Sequence, residues 1–325
     1  MELLTGCTGY LGRHLARKLA DEGKQIRALV RTGTDLKRIP SEVGEVVWGS
    51  LDDPAAIARA THDVDTIYHT AARVSSGGNR QRFEDDNVLA TESLLEAAEA
   101  AGVRRFIHIS SAGIYGAETA GTEIHENTPL DPRIEERGAY AWSKAEADRR
   151  VRAFGENSRL ETIIIRPGLL YGAEAAPFVA RLHFPIPRSG GRRLIVGRRT
   201  NLLPFTHVDN ACEAILNASN HGVSGRAYNI IDGRVTQGEY LEALRNQGIK
   251  DVQATYVPPA VFMPVAAACD IASRLLKRTL PLSRYKLTRA TENLKYSTDA
   301  ARSELQWRPT LDIQAGVATF EERIS

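Results

Sequence analysis

Three cysteines in 325 residues, Cys7, Cys212 and Cys269, are too few and too scattered for a disulfide framework or a zinc site. They fit free thiols in a reducing compartment. The eight histidines do not fall at metal-ligand spacing, so no metal is expected. No apolar run is long and clean enough to span a bilayer: the greasiest segment, 259–276, is broken by Pro264, Asp270 and Arg274. Charge of one sign is not in excess either. With 42 Lys and Arg against 40 Asp and Glu, composition implies neither nucleic acid nor an anionic membrane as partner. Repeats and low-complexity tracts are absent, and 42% hydrophobic with 25% charged residues excludes disorder.

What the chain does have is a glycine-rich turn at its start, TGCTGYLG, with Gly6, Gly9 and Gly12 at three-residue spacing. It follows a short apolar run and opens a helical pattern. At such a junction the first glycine permits a tight turn and the second lets backbone N–H groups approach a pyrophosphate. The third lets the helix pack on the strand, while the helix N-terminus adds its positive end. Gly6, Thr8, Gly9, Tyr10, Leu11 and Gly12 are therefore assigned to a dinucleotide. Because the turn begins at position 6, no room is expected for a signal peptide, and the cytoplasm is the default location.

Far downstream, Tyr140-Ala-Trp-Ser-Lys144 puts a phenol and an ammonium four residues apart on one helical face. An ammonium nearby lowers a phenol pKa, so that Tyr140 could exchange a proton with a substrate oxygen near neutral pH. Ser111, in HISSAGIYG, ends a strand where a nicotinamide would lie and can hold the same oxygen; Ser110 is assigned to backbone or cofactor. Dinucleotide plus proton-handling residues point to hydride transfer.

Other positions keep two readings. Arg31 ends the second strand, with Lys37 and Arg38 beyond it. An acid there would favour NAD; the arginine either forks onto a 2′-phosphate, which makes NADP the expected cofactor with NAD as the alternative, or points to solvent. Asn87 follows the acidic stretch 84–86 and is either a helix N-cap or an active-site residue. Arg188, Arg192, Arg193, Arg198 and Arg199 form either a solvated loop or a site for a phosphate- or carboxylate-bearing substrate. His69 and His207 read as structural residues at strand ends.

Apolar runs at 2–4, 25–30, 45–48, 66–69, 105–110 and 162–165 alternate with helical patterns at 11–22, 54–61, 87–101 and 140–154. This order predicts an α/β fold: a six- or seven-stranded doubly wound parallel sheet of the Rossmann kind. Regularity breaks after Gly168, and a strand at 204–208, a helix at 210–218 and a strand at 227–231 bring the chain back. Residues 1–168 with 203–233 are read as the dinucleotide domain. Residues 169–202 with 234–325 are read as a smaller, discontinuous substrate domain. Segment 259–276, apolar almost all round, is expected to be a helix buried there, with an interfacial membrane helix or a lid as the alternatives.

The ordered motifs TGCTGYLG, GSLDD, YHTAA, DNVLATESLLEAA, HISSAGIYG, YAWSK, IIIRPGLLYG, FTHVDNA, YNIIDG and ELQWRP resemble an extended short-chain dehydrogenase/reductase of the NAD-dependent epimerase/dehydratase family. Members of the 3β-hydroxysteroid dehydrogenase and dihydroflavonol reductase type are included in that likeness. The resemblance implies that Ser111, Tyr140, Lys144 and Asn87 act together, with Lys144 also holding the nicotinamide ribose. It implies that Thr70, Ala71, Ala72 and Pro167, Gly168, Leu169 line the cofactor cleft, with Ser50 and Leu51 near the adenine. Ser50 stands where the family has an acid, and Leu203 where sugar-nucleotide enzymes carry an arginine. The resemblance further implies a homodimer paired through helices 87–101 and 140–154.

The expected function is an NADP(H)-dependent oxidoreductase that interconverts a ketone and a secondary alcohol on a medium-sized, partly apolar small molecule. A nucleotide-sugar epimerase or dehydratase with tightly bound NAD is the alternative within enzymes. A non-catalytic cofactor-binding protein is the alternative outside them.

Overall fold

The computed structural model describes residues 1–74, 79–116, 122–175, 178, 180, 183–186, 192–249, 253–275 and 282–320. Its first half runs β1 (Glu2–Thr5), α1 (Tyr10–Asp21), β2 (Ile26–Val30), β3 (Glu45–Trp48), α2 (Pro54–Thr61) and β4 (Thr66–His69). A long helix follows, α3, made of Arg80–Phe83, a π turn Glu84–Leu89 and Ala90–Ala100. Next come β5 (Arg105–Ile109), α4 (Ala139–Glu156), β6 (Glu161–Pro167), β7 (Leu169–Tyr171), β8 (Phe205–His207), α5 (Val208–His221) and β9 (Ala227–Ile230).

Seven of these strands form one parallel sheet in the order β9-β6-β5-β4-β1-β2-β3. Side-chain alternation along the strands decides which face each residue serves. Leu3, Leu29, Phe106 and Ile164 pack into a core with α2, α3 and α4. Their neighbours Leu4, Ala28, Ile107, Ile163 and Ile165 pack into a second core with α1 and α5. Strands buried on both faces are what a parallel sheet covered by helices requires. Strand order reverses between β1 and β4, so a crevice opens beyond their carboxyl ends, where sheets of this kind bind ligands.

Away from the sheet, Tyr171, Phe205, Tyr240 and Leu244 form a separate core. β7 and β8 lie side by side, and the Leu169 N–H donates to the Pro204 carbonyl at 2.6 Å. A Cβ on Gly168 would sit 2.0 Å from that carbonyl oxygen, so only glycine lets the two segments approach this closely.

Two expectations need correction here. Asn87 is not an N-cap: Asn79 caps α3 by accepting from the Gln81 N–H at 3.0 Å, and Asn87 lies buried inside the π turn. The acids at 84–86 resembled a helix start but occupy the second turn. Segment 259–276 is not a buried helix. Pro259–Phe262 forms a 3₁₀ turn and Met263–Leu275 forms α6, yet Val261, Val265, Ile271 and Leu275 are 55–78% exposed and, among the segment's described residues, only Ala266 is fully covered. α6 is a surface helix whose apolar residues face out, because α7 (Arg284–Thr291) covers only one side of it. No helix among the described residues is long and apolar enough to cross a membrane.

Candidate active site

The turn after β1 is shaped by contact rather than by side-chain caps. Gly6 has φ +76°, and a Cβ there would meet the Ala71 backbone at 2.6 Å; a Cβ on Gly12 would lie 2.2 Å from the Gly6 carbonyl oxygen. Gly9 begins α1 with no side-chain cap on the helix N-terminus. A helix N-terminus left uncapped beyond a sheet's carboxyl edge, with Ala71 of the β4 loop opposite, fits a pyrophosphate. Thr70 closes the floor by donating its hydroxyl to the Thr5 carbonyl at 2.7 Å, and Ala72 continues the loop half-buried.

At the adenine end, Arg31 is exposed after β2, on a turn where Thr34 donates its hydroxyl to the Arg31 carbonyl at 2.7 Å. Lys37 and Arg38 are exposed on the same loop. Gly49 lies against Ala56 of α2, and Ser50 and Leu51 follow it half-buried.

The nicotinamide end opens into a cavity of about 450 Å³. Ser111, Tyr140, Lys144, Gly168 and Leu169 line one side of it. Tyr140 and Lys144 face it from the first turns of α4, which starts at Gly138 with φ +103°. Ser111 enters from the end of β5, where its Oγ accepts from the Gly113 N–H at 3.0 Å. Ser110 is buried behind it with its N–H on the Ile165 carbonyl at 2.8 Å. Pro167 ends β6 and is buried beside Gly168.

Electrostatics here differ from the sequence expectation. Burial pushes the Tyr140 phenol above its ordinary value. Lys144 is nearly buried and donates its ammonium to the Ile109 carbonyl. Desolvation brings it down to about 8, partly offset by Asp148 one turn on. Asp148 is itself held by two bonds from Arg166, at 2.9 and 2.7 Å, with both side chains 1% exposed. Arg166 also donates to the Tyr115 hydroxyl at 2.6 Å, and Tyr115 to Asn229 at 2.7 Å.

Asn87 reaches this region from α3. Its Oδ1 accepts from the Arg73 N–H at 2.6 Å, and its Nδ2 donates to Ser143 Oγ at 2.9 Å. Ser143 then donates to the Tyr140 carbonyl at 2.8 Å. Asn87 therefore touches the turn of α4 that carries Tyr140 rather than lining the cavity.

His69 is structural. Thr91 gives its hydroxyl proton to the Asn87 carbonyl at 2.7 Å, so His69 Nε2 donates to Thr91 at 2.9 Å and Nδ1 accepts from Thr5 at 2.8 Å. Burial holds His69 neutral, down to about 3. His207 is likewise structural: Nδ1 accepts from the Asp209 N–H at 3.2 Å, capping α5.

Of the arginine group, Arg188 lies outside the described residues. The described members do not line the cavity; Arg199 pairs with Glu242 at 2.5 Å and Arg192 with Gln253 at 3.4 Å. Leu203, in the place of the missing arginine, is buried in the outer core. Arg137, Leu282, Tyr285, Lys286 and Arg289 also line the cavity and are not among the expected site residues; Arg137 reaches it beside Ser111, where its guanidinium meets the Gly113 carbonyl. Local pattern does not place them at the cavity; tertiary packing does.

Comparison with known proteins agrees with this geometry. Residues 3–230 match the model of the NAD dependent epimerase/dehydratase family. The chain is 29% identical to a 4-hydroxy-2-methyl-3-oxo-4-farnesyl-3,4-dihydroquinoline-1-oxide ketoreductase of Stigmatella aurantiaca, covering 98% of this chain and 95% of that protein. It is 28% identical to a 2-alkyl-3-oxoalkanoate reductase of Stenotrophomonas maltophilia, covering 97% and 96%. The crystal structure of gox2253 superposes with a TM-score of 0.83 at 26% identity, over 98% of this chain and 96% of that one. The chain belongs to the NAD-dependent epimerase/dehydratase family and is an NAD(P)-dependent oxidoreductase of the extended short-chain dehydrogenase/reductase type.

Proposed function

We propose that the protein is an NADP(H)-dependent reductase of a ketone on a medium-sized, partly apolar substrate. The observation that carries this reading is the convergence of Ser111, Tyr140 and Lys144 on one cavity whose remaining wall includes Ile114, Ala141, Leu169, Pro204 and Leu282. A nicotinamide held along the β1 and β4 loops would supply the hydride for a substrate carbonyl. Ser111 Oγ holds the carbonyl oxygen, and Tyr140 gives it a proton. Burial holds the Tyr140 phenol above its ordinary value, so the side chain carries the proton it would give. Lys144 stands one turn from Tyr140 and holds the ribose side of the cofactor.

Arg31, Lys37 and Arg38 would meet the 2′-phosphate that distinguishes NADP. The parts formed by 1–168 and 203–233 serve the cofactor; 169–202 and 234–325 serve the substrate. The active form is a homodimer paired through α3 and α4, which sedimentation velocity checks directly.

Two measurements test the reading. NADPH and NADH affinities are titrated on the protein and on Arg31→Ala, and NADPH consumption is followed with apolar ketones on the protein and on Tyr140→Phe. A preference for NADPH that the first variant loses, and turnover that the second loses, support it. Turnover retained by Tyr140→Phe overturns the assignment of the acid. NAD released only on denaturation, with no net NADPH use, would replace the reductase with a nucleotide-sugar epimerase.

A further inference from the structure

The 3₁₀ turn and α6 together present an apolar stripe to solvent. Val261, Pro264, Val265, Ala268, Ile271 and Leu275 recur at three- and four-residue steps, which gathers them on one helical face. All six are exposed, Leu275 to 78%. The opposite face is used for packing: Ala266 is buried with Val196 and Leu287, and Asp270, the one described charged side chain of α6, turns to Arg284 at 2.7 Å. Phe184 stacks on Phe262 at 5.9 Å between ring centres and is 41% exposed, which widens the apolar surface at the 3₁₀ turn. An exposed apolar face of this kind marks a surface that something covers.

Charge and composition decide what covers it. Between Asp251 and Glu292 the sequence carries six Lys and Arg and one Asp, although the whole chain is nearly balanced. With Arg284 set against Asp270 and Arg289 against Glu292, the stretch stays basic. A second copy on a two-fold axis would bring this basic stretch against itself. Protein interfaces centre on aromatic and arginine anchors, whereas the stripe is aliphatic with Phe184 at its edge. An apolar helical face in a basic stretch fits an anionic lipid surface, where the face sinks among the headgroups and the cations meet lipid phosphates. Its place in the fold agrees: Leu282 packs with the α6–α7 core and also lines the cavity, so the helix pair that carries the stripe supplies part of the apolar wall. We propose that the protein docks on anionic membranes through the exposed face of α6, with the helix lying along the surface rather than crossing it.

Flotation with vesicles tests it and reads binding without turnover, so its outcome is separate from that of the reductase reading. Vesicles of phosphatidylcholine alone are compared with vesicles in which about a third of the lipid is phosphatidylglycerol. The protein is run beside Ile271→Glu and beside the double variant Val265→Gln with Ile271→Gln. Anionic vesicles should hold the protein roughly 10-fold or more tightly than neutral ones, and added salt should narrow that ratio. Ile271→Glu should weaken binding by roughly 10-fold or more, and the glutamine pair should weaken it several-fold with the charge unchanged. Both positions face solvent, so thermal melts of the variants should match that of the protein. No binding to either vesicle, equal binding to both, or binding that the variants keep overturns the proposal. Self-association in sedimentation velocity that Ile271→Glu abolishes, without lipid binding, gives the face to a second copy instead.

Discussion

The Asn87 side-chain amide and the Ser143 hydroxyl are hydrogen-bonded at 2.9 Å, joining the π turn of α3 to the turn of α4 that carries Tyr140 and Lys144. The π turn supplies the extra residue that turns Asn87 inward, a common use of this distortion at functional sites. Asn87→Ala should lower kcat far more than it weakens cofactor binding, because the Arg73 N–H and the Ser143 hydroxyl both lose a partner. Steady-state kinetics beside a cofactor titration measure the split. An unchanged kcat would make Asn87 a purely structural residue.

Lys144 is expensive to bury. Its ammonium is down to about 8 from an ordinary 10.5, so the folded state is penalised wherever the side chain is charged. The penalty is full below pH 8 and fades as pH rises towards 10.5, since the unfolded chain then holds the extra proton. Lys144→Met should therefore abolish turnover yet raise stability at pH 7 by on the order of 2–3 kcal/mol. Denaturant melts at pH 7 and pH 10 should show the gain shrinking at the higher pH.

Asp148 and Arg166 form a buried pair with every charge matched. Arg166→Met strands the Asp148 carboxylate at 1% exposure and should cost about 3–5 kcal/mol. Asp148→Leu added to it should recover much of that loss. A melt series over the two single variants and the double one checks it. Additive losses would show that the pair is not coupled.

His108 stacks on His69 at 5.6 Å between ring centres, and neither of its ring nitrogens has a hydrogen-bond partner among the described residues. Burial holds it well below its ordinary value, and Lys144 adds to the effect. Both histidines must charge on unfolding, so stability present above pH 6.5 is lost as pH falls, at roughly 1.4 kcal/mol per unit for each. His108→Leu should flatten the acid side of the stability profile and be neutral or stabilising at pH 7. A steeper acid loss in the variant would contradict this.

Most of the sheet was legible because strand alternation and glycine spacing are local signals. Leu3 against Leu4 and Ile163 against Ile164 show in sequence which residues are buried, and the structure divides them between two faces. The π turn was not legible: 84–89 reads as any acidic helix start, and only packing against α4 widens it. α6 failed for a related reason, since apolar composition says nothing about how many neighbours a segment has. Arg137 lies about 150 residues before the adjacent Tyr285 and Lys286, and only the folded chain brings them to one cavity.

The bond between Leu169 and Pro204 has an evolutionary corollary. It ties the neck of the excursion between them, so that stretch leaves and rejoins the fold at adjoining points. Residues inside the neck can be lengthened, shortened or replaced without displacing Ser111, Tyr140 or Lys144, which hang from β5 and α4. Among the described residues it is the neck, Leu169 and Pro204, and not the excursion between them, that reaches the cavity, so the excursion can vary in length while the wall beside Ser111, Tyr140 and Lys144 keeps its shape.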